Sequence, residues 1–156
     1  DPVVGGDGLL VDLGSHALDL LDHWLGPVVA ADGFAATRLP WSRVADQVVG
    51  SLRFEGGAFG SAAWDFAAAS SRDELAVSLE RGTISVPVFA DGPVRVVDEQ
   101  GGVTNHRLPH PRHVQEPLIA AVVDELLGRG GPCPSTGVSA LRTQRVLDAL
   151  LSRRLG

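Results

Sequence analysis

Residues 47–67 read QVVGSLRFEGGAFGSAAWDFA, and their alternation decides the fold. Val48, Gly50, Leu52 and Phe54 fall on one side of an extended chain, while Val49, Ser51 and Arg53 fall on the other. Glu55-Gly56-Gly57 supplies a tight turn, so residues 58–67 are expected to return beside 47–54 as a β-hairpin. The returning strand is rich in Gly, Ala and Ser, which calls for something large packed closely against it.

The same grammar extends outward. Toward the C-terminus, Leu75, Val77 and Leu79 alternate, and Arg81-Gly82, Asp91-Gly92-Pro93 and Gln100-Gly101-Gly102 turn the chain into strands at 83–89, 94–98 and 103–108. Parallel crossovers need about a dozen residues or more, so these short gaps imply antiparallel neighbours. Residues 28–37, small and apolar, form the first full strand. Helical stripes flank this run. Ala17, Leu18, Leu21, Trp24 and Leu25 lie between a start at Gly14-Ser15, with Ser15 placed to cap, and a stop at Gly26-Pro27. Leu118, Ile119, Val122, Val123 and Leu126 mark a second helix over 115–127, and Leu141, Val146, Leu147, Leu150 and Leu151 a third over 138–154 after the start signal Ser135-Thr136. Gly5, Gly6 and Gly8 precede a short buried segment at 9–11, read as strand-like. The fold class is therefore α+β: an open-faced, mainly antiparallel sheet of about six strands with helices covering one face.

Composition narrows the partners. A chain of 156 residues that is 44% hydrophobic and 21% charged can build a real core. A net charge of −6 argues against nucleic acid and against an anionic membrane surface, and no apolar run approaches the ~20 residues of a membrane span. The single Cys133 allows no internal disulfide and no cysteine zinc site, which is consistent with a cytoplasmic protein. All 13 basic residues are arginine, so a lysine general acid, Schiff base or P-loop has no residue to use. No G-x-G-x-x-G follows a strand and opens a helix, so no cofactor-binding residues are expected within the chain. The missing methionine suggests a piece of something longer.

Chemistry is expected first at Asp12 and His16. Four residues apart across a helix start, they could face one cavity, where a carboxylate orients an imidazole for acid/base work. The spacing alone is common by chance, and the plainer alternative has Asp12 capping a turn and His16 on the surface. His23 could join His16 as a metal pair, but no third ligand is evident, so no metal is expected. Trp41, Trp64 and Asp65 could line a sugar-sized site, since aromatic faces stack on apolar ring faces and carboxylates accept hydroxyl hydrogen bonds. For Trp64 simple core packing competes with that role. His106, His110 and His113 fall in a Pro-rich loop, read as solvated. Ser70, Ser71 and Cys133 have no base at motif spacing.

The segment GGDGLLVDLGSHALDLLDHWLG closely resembles the hallmark segment of the glucose–fructose oxidoreductase/inositol dehydrogenase/MocA (Gfo/Idh/MocA) family, roughly G-G-G-x-L-x-D-x-G-x-H-x-x-D. Gly5, Gly6, Gly8, Leu10, Asp12, Gly14, His16 and Asp19 fall into place, with Asp7 a departure within the glycine run. LAVSLERGTISV resembles the family's strand–Gly–Thr–strand turn, and the helix, Pro-Ser-Thr linker and last helix resemble its ending.

The resemblance implies that residues 1–156 are a single C-terminal domain for substrate binding and oligomerisation. The Rossmann domain that binds NAD or NADP and supplies a lysine would lie outside this chain, leaving the chain inactive alone. It also implies His16 as acid/base, Asp12 as its partner toward substrate, a sugar, cyclitol or related polyol as substrate, and self-association through the sheet face as a dimer or tetramer. A glycosidase on the same fold is possible within such a family. Two rival readings remain: a non-catalytic dimerisation scaffold, and a metal-dependent hydrolase using Asp12, His16 and His23.

Overall fold

The computed structural model describes residue 6 and residues 8–155; Gly5 and Asp7 of the glycine run lie outside the described residues. The chain divides into two compact units, one of residues 1–70 and 135–156, the other of residues 71–134.

The first unit holds the hairpin. Strands β1 (Val28–Ala36), β2 (Gln47–Phe54) and β3 (Phe59–Asp65) pair antiparallel, with Gly33 opposite Gly50 and Gly50 opposite Ala62. The alternation read in residues 47–54 holds: Val48, Leu52 and Phe54 are buried, and Val49, Ser51 and Arg53 are exposed. Two helices complete this unit, α1 (Ser15–Leu25) and the later helix Gly137–Leu151. The later helix lies on β1 and β2, and α1 lies against it; Leu10, Leu18, Val48, Leu147 and Leu150 are the largest fully buried side chains of this core. The close approach sits at glycines of β1 and β2. A Cβ at Gly50 would overlap Leu150 Cδ2, and one at Gly33 would stand 3.0 Å from the same atom.

The second unit holds β4 (Leu75–Leu79), β5 (Gly82–Val86), β6 (Val94–Asp98) and β7 (Val103–His106), a meander in sequential order with every pairing antiparallel. It also contains α2 (Glu116–Leu126). The helix of the first unit, Gly137–Leu151, is therefore α3, and β8 (Arg154–Leu155) closes the first sheet by pairing parallel to β1.

The α+β class and the open, mostly antiparallel sheet architecture are as expected, with three differences. The described strands number eight and form two sheets of four, because β3 and β4 do not pair. Residues 10–14 are helical rather than extended. They form a π-helical turn, Leu10–Gly14, that runs directly into α1, which lets Leu10 enter the core while Gly14 leaves room for Leu10 and Trp64. Ser15 consequently caps nothing; its Oγ donates to the Asp12 carbonyl oxygen at 2.8 Å inside the continuous helix. Finally, only α1 and α3 bury an apolar face, since no residue of α2 is buried. Thr136 caps α3 as the start signal implies, in a reciprocal pair with Ser139.

Candidate functional site

Two clefts flank the π-helical turn, and Val11 stands on the rim of both. The larger, about 940 Å³, is lined by Asp12, Trp41, Ser42, Arg43 and Phe66 among others. The smaller, about 340 Å³, is lined by His16 with Asp19, Ser135, Thr143 and Gln144. Asp12 and His16 are thus neighbours on one helical segment that open onto adjacent clefts. Both are exposed.

The wall of the larger cleft is the loop between β1 and β2, and Asp46 holds it. Only 5% of Asp46 is exposed. Its Oδ1 accepts from the Arg38 amide and its Oδ2 from the Leu39 amide, both at 2.8 Å. Thr37 and Ser42 hydroxyls both donate to the Val44 carbonyl oxygen, at 3.1 and 2.8 Å, and the Ser42 amide donates to the Leu39 carbonyl oxygen. These bonds fix a loop whose tip, Trp41, stands 77% exposed in the cleft. Backbone polarity satisfied this way lets a loop hold one shape without apolar burial. Sequence reasoning missed Asp46, because a carboxylate just before a strand reads as an ordinary turn residue.

The helix that carries His16 is fixed by its own acids. Asp22, 7% exposed, takes a two-point grip from Arg142, whose Nε donates to Oδ1 at 3.1 Å and whose Nη2 donates to Oδ2. That side-chain hydrogen bonding holds the Arg142 guanidinium above its ordinary pKa, against some desolvation. Asp19 accepts from Ser135 Oγ at 3.4 Å and from Thr143 Oγ1 at 3.5 Å. The N-terminal half of α3 thereby sets the rotation of α1, and with it where the imidazole of His16 stands.

The remaining sequence candidates disperse. Trp64 is half-buried and packs against the core beside Gly14. Asp65 ends β3, accepting from Gln47 Nε2 at 2.9 Å and from Arg38 Nη1 at 3.5 Å, and its other oxygen takes the Ala67 amide. Neither lines either cleft. His23 is exposed near the end of α1, and no group of three or more His, Cys, Asp or Glu among the described residues is arranged to hold a metal ion. In the other unit His106 lies on β7, His110 Nε2 stands 3.0 Å from Asp91 Oδ1, and both are exposed, as is His113. No helix among the described residues is long and apolar enough to cross a membrane. Among the described residues no β-strand enters a glycine-rich turn that opens a helix, the cradle a dinucleotide pyrophosphate requires.

The chain is similar to oxidoreductases. Over 134 residues it is 29% identical to Oxidoreductase P35 of Formosa agariphila, which covers 85% of this chain and 40% of that protein. In structure it is similar to the aldose-aldose oxidoreductase of Caulobacter crescentus, solved with glycerol, at 19% identity, a TM-score of 0.78, and coverage of 96% of this chain and 46% of that one. It is likewise similar to the WlbA dehydrogenase of Bordetella pertussis, solved with NADH and UDP-GlcNAcA, at 25% identity, a TM-score of 0.67, and coverage of 90% and 42%. The chain therefore spans less than half the length of these relatives. The sequence profile of the GFO/IDH/MocA C-terminal domain matches residues 1–85, which hold the helix of Asp12 and His16 and the hairpin behind it, and this chain belongs to that family.

Proposed function

We propose that this chain is the substrate-binding and oligomerisation domain of an NAD(P)-dependent oxidoreductase acting on a sugar, cyclitol or related polyol, with hydride moving at a C–OH/C=O carbon. The observation that carries this reading is the placement of the family's Asp12 and His16 on one helical segment between two clefts, beside an exposed tryptophan on a fixed loop. Relatives support the substrate class. The Caulobacter enzyme was solved with glycerol and the Bordetella enzyme with NADH and a nucleotide sugar.

In this reading the polyol lies in the larger cleft and its reacting hydroxyl reaches past Val11, which lines both clefts, to His16 on the smaller one. Trp41 offers its face to the apolar side of the carbon skeleton, and the Asp12 carboxylate accepts a substrate hydroxyl. His16 exchanges the proton of the reacting hydroxyl, a task suited to an imidazole near neutral pH. The cofactor, NAD or NADP, is bound outside these residues, and the whole protein is cytoplasmic. Trp64 and Asp65 support the site from behind rather than touch the substrate.

His16→Ala in the full-length gene product is expected to lower kcat by roughly 10²–10⁴-fold with the oligomeric state unchanged. Turnover retained in that variant removes His16 from the chemistry.

A second reading, a dimerisation scaffold, draws on the bare face of the first sheet. Phe34, Val49 and Ala63 form one exposed row across β1, β2 and β3, with Arg53 and Phe59 in another. Arg153 lies over the Phe34 ring at 5.6 Å and pairs with Asp32 at 3.2 Å, so the row is flanked by charge. Self-association through this face accompanies catalysis in the first reading and replaces it in the second. Phe34→Asp is expected to shift the full-length protein toward monomer in sedimentation. An unchanged distribution places the interface elsewhere.

A further inference from the structure

The larger cleft carries one basic group, Arg43. Among the described residues Arg38, Arg72, Arg81, Arg129, Arg142 and Arg153 are in ion pairs; Arg43 and the remaining arginines are in none, and of these Arg43 alone lines the cleft. It is exposed, and it sits two residues from Trp41 on the same fixed loop. The loop's shape does not depend on the guanidinium: the Asp46 carboxylate, the Thr37 and Ser42 hydroxyls and the backbone hold it. A guanidinium on the wall of a cleft, with no acid holding its hydrogen-bonding fork, is free to receive a carboxylate.

We propose that Arg43 is an anion anchor and that the ligand of this cleft is a hydroxylated monoacid, a sugar acid whose carbon skeleton lies on the Trp41 face while its carboxylate meets the Arg43 fork. This rests on the polyol reading of the cleft and narrows it. A carboxylate fits better than a phosphate ester. The lining sets Asp12 and Asp46 against Arg43, a net negative wall that opposes a dianion more than a monoanion, so a carboxylate gains through its direct two-point contact with the Arg43 fork. Asp46 does not compete for the guanidinium, because both its oxygens are taken by loop amides. Loop and side chain stand ready before the ligand arrives, which lowers the ordering cost of binding.

The test is binding calorimetry on the full-length gene product, with and without NAD+ and NADP+. Matched pairs serve as probes: D-glucuronate with D-glucose, D-galacturonate with D-galactose, D-gluconate with D-glucitol, and glucose 6-phosphate as the dianion. At least one acid is expected to bind about 10-fold or more tightly than its neutral partner, the gain of a charge-assisted hydrogen bond. Arg43→Gln is expected to bring that acid down to its partner's affinity with the unfolding temperature unchanged, and Arg43→Lys to restore part of the difference. Equal affinities within every pair, preference for the phosphate, or a ratio that survives Arg43→Gln overturns the proposal. Neutral sugars bound and turned over while acids are ignored would sink the anchor and leave the polyol reading standing. If no probe of either kind binds, both fall.

Discussion

Asp46 shows how much one side chain can decide. It accepts two successive backbone amides, and replacing one oxygen by an amide NH2 sets a donor against a donor. Asp46→Asn is expected to cost roughly 1–3 kcal/mol in urea unfolding, the penalty of leaving a buried polar group unsatisfied. It should also loosen the loop that presents Trp41, raising Kd for any ligand of the cleft. A variant as stable and as tight as the parent would show that the loop holds itself by other means. Nothing in the sequence marks this residue, because its partners are backbone groups seven and eight residues away. Asp12 and His16 were visible for the opposite reason. The role proposed for them rests on a pattern of residue types along a few turns of chain, and a pattern is what a sequence displays. Which cleft each one faces was not visible, since that depends on what packs beside them.

Elements in this protein are joined by a few specific devices. The Asp22–Arg142 grip ties α1 to α3 where Asp22 is almost fully covered. Removing the arginine leaves a buried carboxylate without its partner, so Arg142→Met is expected to lower the urea unfolding midpoint, while Asp22→Leu with Arg142→Met recovers most of the loss. Equal unfolding midpoints for the single and double variants would show that the pair is not coupled. The contact between α3 and the sheet is of another kind, a matter of space. Gly50→Ala drives a methyl into Leu150 and is expected to cost about 1–3 kcal/mol, and Leu150→Ala in the same chain should relieve the clash. Small residues facing a large neighbour were expected, but on β3 rather than on β1 and β2, because the sequence shows which strands are thin and not which one the helix crosses. Residues 9–11 were misread on similar grounds. Three apolar residues after glycine suit a buried strand or a buried helical turn equally, and the tie is broken only by Leu10 and Trp64 meeting across Gly14.

At the scale of the whole molecule the strands themselves were legible, since period-two alternation and glycine turns are local. Their division into two sheets was not, because nothing local says that β3 ends the first sheet and that β4 begins another. The second unit has its own fastening. Asp73 accepts the amides of Val88, Phe89 and Ala90 at 3.0, 2.7 and 2.7 Å. Burial alone would raise its pKa, but the three amides outweigh it and hold the carboxyl below its ordinary value. A depressed folded-state pKa contributes stability above the unfolded value that is lost as pH falls toward the folded one. Exchange protection of the Phe89 and Ala90 amides is therefore expected to fall only below about pH 4. In Asp73→Asn that protection should be low and flat across the range, and an acid limb that persists in the variant would assign the transition to another carboxyl.

The first unit is written in two pieces, with 64 residues, 71–134, between them. On a ribosome β1, β2 and β3 emerge before residues 71–134, and Leu147 and Leu150, which close their covered face, only after them. Through that interval Val48, Leu52 and Phe54 have no permanent lid, a period in which a chaperone or another nascent chain can compete for them. A chain stopped after residue 134 should therefore bind a hydrophobic dye and pellet, and supplying the segment 135–156 as a separate peptide should rescue it. The order of synthesis, as much as the final packing, makes α3 the piece that the first unit waits for.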